Sequence, residues 1–358
     1  FPGGYALRSM SSYHVNESER LIDLDYTHEF SAILEATGKG SHFAQEVRLT
    51  SPLTHRLNFV AGLYYFYQKA ESFQRGLGGP AFFLPGYHND DIGEVITHSV
   101  AGYFHGNMHL TDKLTLTGGL RYTYEDKKID FSITNEPAPI FFIDLDHFKD
   151  TYNEGVLSPK GGINFQLSDQ MLIYGSISRG FKSGGWNADF ISSVEQIQFD
   201  PEFVTSYEMG FKFTTPNNRF RLSTAAYVSK FNDYQVFQFL QIAPEQSVLI
   251  LTNAGKVTSK GGEAELSVLP VSGLAITAGL GFTKARYDEF KDGGGKGIHY
   301  DGNKLTNAPE IEYNLAVDYR KQLGQAGGIV LHGDLIYRDE YFTHANNNRQ
   351  THFVEAYH

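Results

Sequence analysis

The chain has 358 residues, a formal net charge of −11, no cysteine, 28 Phe, 22 Tyr and a single Trp. The acidic balance argues against nucleic acid as a partner, since that needs a basic patch. Without cysteine there are no disulfide frameworks and no thiolate metal sites.

Glycine is frequent at 37 and proline is not at 12, so the chain is not disordered low-complexity sequence. No run approaches the roughly 18 apolar residues of a transmembrane helix. The slightly negative mean hydropathy does not exclude a membrane β-barrel, whose alternating strands average to near neutral. The opening FPGGYALRSM shows no signal-peptide pattern; the expectation is a chain that starts inside a longer protein.

In chain order, strands are predicted near residues 5–14, 41–50, 56–69, 95–110, 113–126, 156–167 and 170–180. Seven more follow near 202–214, 218–232, 235–241, 252–268, 273–287, 308–321 and 327–340, and a partial one at HFVEAYH. Their basis is period-two alternation, the signature of a strand with two unlike faces. From Leu114 to Glu125, Leu114, Leu116, Leu120, Tyr122 and Tyr124 alternate with Thr115, Thr117, Arg121, Thr123 and Glu125. Tyr207, Met209, Phe211 and Phe213 alternate with Ser206, Glu208, Gly210 and Lys212. Ile311 to Arg320 repeats the pattern, as do Leu274 to Lys284 and Ile329 to Arg338. The region from Asp233 to Leu251 is patterned least sharply.

Connections alternate in length. Short ones are predicted at 51–55, 110–112, 167–169, 215–218, 270–273 and 322–328, and long ones at 15–40, 70–94, 127–155, 181–201, 288–307 and 341–350. Tight turns at one end and large loops at the other are what up-and-down antiparallel topology produces. The alternatives are a soluble sandwich and a propeller. The sandwich would not carry charges such as Arg121, Glu125, Glu208 and Lys212 on one face with tyrosines ending the apolar one. The propeller needs a repeat of about forty residues, and none is visible. The fold class is therefore all-β: a transmembrane antiparallel up-and-down β-barrel with long extracellular loops and short periplasmic turns. The face of Leu114, Leu116 and Leu120 is expected to meet lipid.

Several stretches carry a resemblance. FAQEVRLTS (43–51) and FVAGLYYFYQ (59–68) are followed by IYGSISRGFKSGGWN (173–187) and FVTSYEMGFK (203–212). TNAGKVTSKGGEAEL (252–266) and NKLTNAPEIEYNLAVDY (303–319) complete the set. In this order they resemble the barrel region of TonB-dependent outer-membrane receptors. The resemblance implies a partial barrel over 1–358, about 14 of an expected 22 strands, lacking the plug domain, several early strands and the last few. It also implies the outer membrane of a Gram-negative bacterium, with lipid and lipopolysaccharide as surroundings. Energy would come from the TonB–ExbB–ExbD complex acting through a plug. The implied cargo is a scarce nutrient, by default a ferric siderophore; cobalamin, oligosaccharide or aromatic compounds are alternatives, as is a passive porin-like channel.

No enzyme constellation is present, and neither a cofactor nor a metal site is expected. His105 and His109 share a face with Asn107 and read as a polar lumen row. The acidic loops 143–150 and 292–303 lack calcium-loop spacing and read as solvated charge. Ligand contact is assigned to the long loops, because loops on a rigid scaffold carry recognition. Arg179, Lys182, Trp186 and Asn187 come from SRGFKSGGWNADF (178–190), which contains the single Trp, and Tyr87, His88, His299 and Tyr300 join on loop position.

Overall fold

An extended backbone leaves its N–H and C=O groups unpaired, so each alternating segment needs a partner strand. The computed structural model supplies those partners in one antiparallel sheet of thirteen strands. It describes residues 2–23, 28, 31–82, 84–140, 142–189, 191–243, 246–294, 297–348 and 352–353.

In chain order the strands are β1 (Ala6–Asp23), β2 (Ala32–Thr50), β3 (Leu57–Gly78), β4 (His88–His109), β5 (Leu114–Glu136), β6 (Leu145–Ser168) and β7 (Met171–Lys182). Two short strands, β8 (Gly185–Trp186) and β9 (Gln198–Phe199), pair with each other in the next loop. The sheet resumes with β10 (Glu202–Thr214), β11 (Phe220–Ala243), β12 (Gln246–Val268), β13 (Leu274–Glu289), β14 (Ile311–Gln322) and β15 (Gly328–Arg338). Beyond it, β16 (Tyr341–Phe342) pairs with β17 (His352–Phe353); the rest of HFVEAYH lies outside the described residues. Sheet order follows chain order, so the topology is an up-and-down meander, with β1 and β15 paired on one side only among the described residues.

Fourteen predicted strands become thirteen, because 235–241 continues β11. Its ladder with β12 runs through Val236↔Thr252 to Gln241↔Ser247. Asp233, with φ 53, interrupts the alternation there and makes one strand read as two. The expected loops at 15–40, 70–94 and 127–155 are mostly strand. Pairing continues to Asp23↔Ile33, Leu77↔His88 and Ile133↔Leu145. In these upper halves the outward face turns polar and charged, while the inward face of β5 keeps Ile129, Phe131 and Ile133 buried under the loops, and the hydrogen-bond ladder persists.

Register fixes the faces. Leu116 pairs with Ile163, which pairs with Gly175 and through it with Met209; Ala226, Gly262, Phe282 and Ile311 continue the same row. Its large side chains are exposed, Met209 to 64%, as expected for a surface that lipid covers. The opposite face is polar. Tyr103 donates to Glu46, Arg121 lies over the rings of Tyr64 and Tyr103, and Lys212 lies 5.6 Å from the Tyr174 ring centre.

Two glycines on this inner face are required by close approach. A Cβ on Gly62 would lie 2.5 Å from the Tyr103 hydroxyl, and one on Gly210 would lie 2.5 Å from the Tyr174 ring. Each glycine is the register partner of its tyrosine. The ring can therefore lie flat along the wall instead of standing into the lumen.

Candidate functional site

The long-loop end holds the buried apolar clusters of the molecule. β7 and β10 are short, 12 and 13 residues, whereas β6 and β11 on either side have 24 each. A notch is left between the tall β5–β6 and β11–β12 hairpins, and the described residues of the loop, 183–189 and 191–201, fill it. Ile191 and Ile197 are buried against Ile129, Phe131 and Ile133, the inner face of β5. Ile143 N–H donates to Ile191 O at 2.9 Å.

Polar contacts fix the same segment from both sides. Lys127 Nζ donates to Ser183 Oγ at 2.6 Å and Gly184 O at 2.9 Å, beside its ion pair with Glu125. Trp186 Nε1 donates to Asp150 Oδ2 at 2.8 Å, and its ring meets Tyr152 edge-on at 6.2 Å. On the far side Asn187 Nδ2 donates to Leu251 O at 2.9 Å while its Oδ1 accepts from Leu251 N at 3.0 Å. Buried Gln235 donates to Ser183 O and Asp200 O at 3.0 and 2.9 Å.

A second body closes the wall beyond β12. Residues 302–305 extend the edge of β13, through Gly302 N to Tyr287 O at 2.7 Å and Leu305 N to Ala285 O at 2.9 Å. Val257, Tyr287, Phe290 and Ala345 form the buried cluster beneath them. Asn347 Nδ2 donates to Lys304 O at 3.0 Å, which ties in the last loop.

The eight sequence-predicted residues do not form one pocket. Trp186 and Asn187 are loop anchors, as described. Tyr87 is buried and donates to Asn135 Oδ1 at 2.7 Å. His88 is half-buried, 3.7 Å from Glu136. His299 is exposed, its Nδ1 accepting from Asp292 N at 3.1 Å. Tyr300 packs edge-on against Phe290 at 5.7 Å, and burial pushes its phenol above the ordinary range. Lys182 is exposed at the end of β7, opposite Glu202. Arg179 shares its face with Ile173 and Ile177, so it sits on the outer surface, 4.8 Å from the Phe203 ring centre. It does not face the mouth.

Sequence reading missed Lys127, Gln235 and Leu251, whose partners in the notch loop lie 35 to 64 residues away. The one available signal was parity: Lys127 continues the polar face of Arg121 and Glu125.

Carboxylates of the acidic loops serve the backbone. Asp144 Oδ1 accepts from Asn135 N at 2.9 Å, Asp292 Oδ1 from Gly297 N at 2.6 Å, and Asp301 Oδ1 from Phe290 N at 2.5 Å. His109 has Thr115 Oγ1 at 2.9 Å on one ring nitrogen and Asn58 Nδ2 at 3.0 Å on the other. Among the described residues no three His, Cys, Asp or Glu side chains are grouped to hold a metal ion.

Comparison with known proteins follows this geometry. The family model described as "TonB dependent receptor-like, beta-barrel" matches residues 4–358. The "Ferric-pyoverdine 358 receptor" of Pseudomonas putida is 27% identical over 300 residues, covering 77% of this chain and 34% of that protein. The "Pesticin receptor" of Yersinia pestis is 25% identical over 175 residues, covering 48% of this chain and 24% of that protein. Among solved structures, the ferric yersiniabactin uptake receptor FyuA of Yersinia pestis superposes with a TM-score of 0.80 at 17% identity, over 97% of this chain and 49% of the other. The ferripyoverdine receptor of Pseudomonas aeruginosa gives 0.65 at 17%, over 99% and 46%. These structural likenesses are of fold. The chain spans about a third of the Pseudomonas putida relative and about half of FyuA.

Proposed function

This chain belongs to the TonB-dependent receptor β-barrel family, and from that premise we propose that it forms the wall of an outer-membrane receptor for energised uptake of a ferric siderophore. Members of the family are transporters, and related proteins are receptors of the Gram-negative outer membrane. The observation that carries the reading is the mouth. A polar inner wall opens upward between two tall hairpins, and loop 183–201 is docked into that wall. The result is a walled vestibule above a hydrated lumen, suited to a bulky polar cargo. The names of the relatives, which specify ferric-pyoverdine and ferric yersiniabactin, support an iron chelate as that cargo.

In the whole protein a plug would occupy the lumen and pass force from the TonB–ExbB–ExbD complex. The exposed inner-face carboxylates and cations, including Arg338 paired with Glu312 at 2.7 Å, are polar partners for such a body.

The test uses the full-length protein in an iron-starved host lacking its other siderophore receptors. Uptake of radiolabelled ferric pyoverdine and ferric yersiniabactin is measured with and without a protonophore. The reading expects uptake of at least one chelate that stops when the proton gradient is collapsed. Uptake that continues unchanged would identify a passive channel, and uptake of neither would remove the siderophore assignment.

A further inference from the structure

Among the described residues, the one pair of imidazole rings in contact lies on the inner wall. His14 and His42 are register partners on β1 and β2, with ring centres 5.1 Å apart and planes inclined by 30°. His42 has the parity of Glu46, so both rings point inward, while Tyr13 and Val15 on either side of His14 are outward and exposed. Along the same register row come Gln68, Thr97 and Lys127, and Lys127 holds the notch loop through Ser183 and Gly184. The pair therefore stands on the wall that encloses the vestibule.

Other histidines of the upper wall are already engaged. His88 faces Glu136, His98 the Tyr65 hydroxyl, His147 Asp130, and His299 Asp292. His14 and His42 have no hydrogen-bond or ion-pair partner among the described residues. Their inward neighbours on β1 to β3 are Ser12, Asn16, Gly40, Ala44, Phe66 and Gln68, none of them charged. No carboxylate occupies the rings, and no lysine or arginine beside them would repel a cation. Phe66 bounds the pair on one side, 5.8 Å from the His42 ring. On the other side Asn16 lies over Gly40, where a Cβ would collide with its Oδ1. His14 is exposed and His42 half-buried, so the pair is open to the lumen.

Neutral imidazole is a ligand for copper(II), nickel(II) and zinc(II). At a metal–nitrogen distance of about 2.0–2.1 Å, two imidazoles on one tetrahedral ion have their ring centres about 5 Å apart. The observed spacing of 5.1 Å meets that requirement.

We propose that His14 and His42 form a two-imidazole site on the vestibule wall for a divalent cation of the copper, nickel or zinc class, with water in its remaining positions. Two protein ligands hold such an ion weakly enough to release it again, which suits a stopping point in transit and not a resident cofactor. The site goes beyond the iron-chelate reading and is independent of it, because a saturated ferric chelate has no open position for an imidazole.

The test titrates the purified full-length receptor in detergent with copper(II), by calorimetry and electron paramagnetic resonance. Wild type is compared with His14→Gln, with His42→Gln and with the control His55→Gln, which removes an exposed imidazole in the 51–55 turn. Heat-modifiable gel mobility checks the folding of each variant, and the two single variants read the pair independently. Wild type should bind a copper ion whose spectrum shows two imidazole nitrogens. Either pair variant should lose that signature and bind the ion at least about tenfold more weakly, with the control unchanged. Zinc(II) should compete for the site, and millimolar calcium should not, since calcium takes oxygen ligands. Copper supplied as its saturated EDTA complex should not bind. Unchanged copper binding in both pair variants overturns the proposal, as does displacement of copper by calcium. Binding of the EDTA complex also overturns it, by showing recognition of a chelate instead of an ion. The readout is metal on the purified receptor, so failure of the siderophore assignment in uptake assays would leave this result standing.

Discussion

Asn187 holds Leu251 by both backbone groups, donating to its carbonyl at 2.9 Å and accepting from its amide at 3.0 Å. Leu251 lies in the part of β12 above Lys256, where the ladder to β13 begins. Its outer backbone edge would otherwise be unpaired there, and one loop side chain takes the place of a strand. The two residues are 64 apart in sequence, so this contact joins the notch loop to the tall hairpin.

Asn187→Ala should remove both hydrogen bonds at once and cost about 1–3 kcal/mol locally. Asn187→Asp should retain only the acceptor half. Hydrogen exchange at the Leu251 amide in the reconstituted protein reads this directly. Fast exchange is expected in the alanine variant and slow exchange in the aspartate variant. Equal protection in all three proteins would show that β12 is held there by something else.

Facing can be tested at one step along β5. Leu116 is outward, and Thr117 is inward with its hydroxyl donating to Asn107 Oδ1 at 2.8 Å. Leu116→Arg should destabilise by about 2–4 kcal/mol near the bilayer midplane. Thr117→Arg should cost about 1 kcal/mol, mainly the lost hydrogen bond. Reversible urea unfolding in lipid vesicles measures both, and equal costs would remove the assignment of faces.

Much of this was readable in the residues. The alternation of Leu114 to Glu125 gave the outward and inward sets on β5, and the short turns fell where the strand ends are. What escaped has two physical causes. Above the belt the outward face of β1 to β6 is charged instead of apolar, so these strand halves read as loops, although Ile129, Phe131 and Ile133 still alternate on β5. The contacts of Trp186, Asn187 and Gln235 join segments brought together only by closure of the sheet. Arg179 is a different case: counting by twos from Ile173 and Ile177 would have placed it outside, because parity runs to the end of the ladder at Lys182.

The tyrosine–glycine pairs make the wall sensitive to small changes. Gly210→Val would place branched carbons where the Tyr174 ring lies, since even a Cβ would come within 2.5 Å. The ring must then leave the wall, at a cost of about 1–3 kcal/mol. Adding Tyr174→Ala should recover a large part of that loss. A double-mutant cycle on unfolding midpoints shows the coupling, and additive costs would mean that the ring does not lie on Gly210.

Trp186 should act on cargo binding through the position of its loop. Its N–H goes to Asp150, its ring meets Tyr152, and its apolar surface packs against the Ile129–Phe131–Ile133 cluster. Losing a large half-buried side chain removes roughly 1.5–3 kcal/mol of burial, comparable to the opening free energy of a surface loop. Trp186→Ala should therefore make residues 183–201 cleavable by external protease on whole cells and weaken cargo binding in parallel. Trp186→Phe, which keeps the ring and loses the N–H, should give a smaller effect on both. Lys182 is exposed, at the end of β7 and outside the anchored segment, so Lys182→Ala should leave the protease pattern unchanged. If the cargo is anionic, the same variant should bind it more weakly, with the difference fading at high salt. Binding normalised to surface receptor separates the two routes. Protease sensitivity without a change in binding would make the loop a wall only, and a change in binding without protease sensitivity would make Trp186 a direct contact.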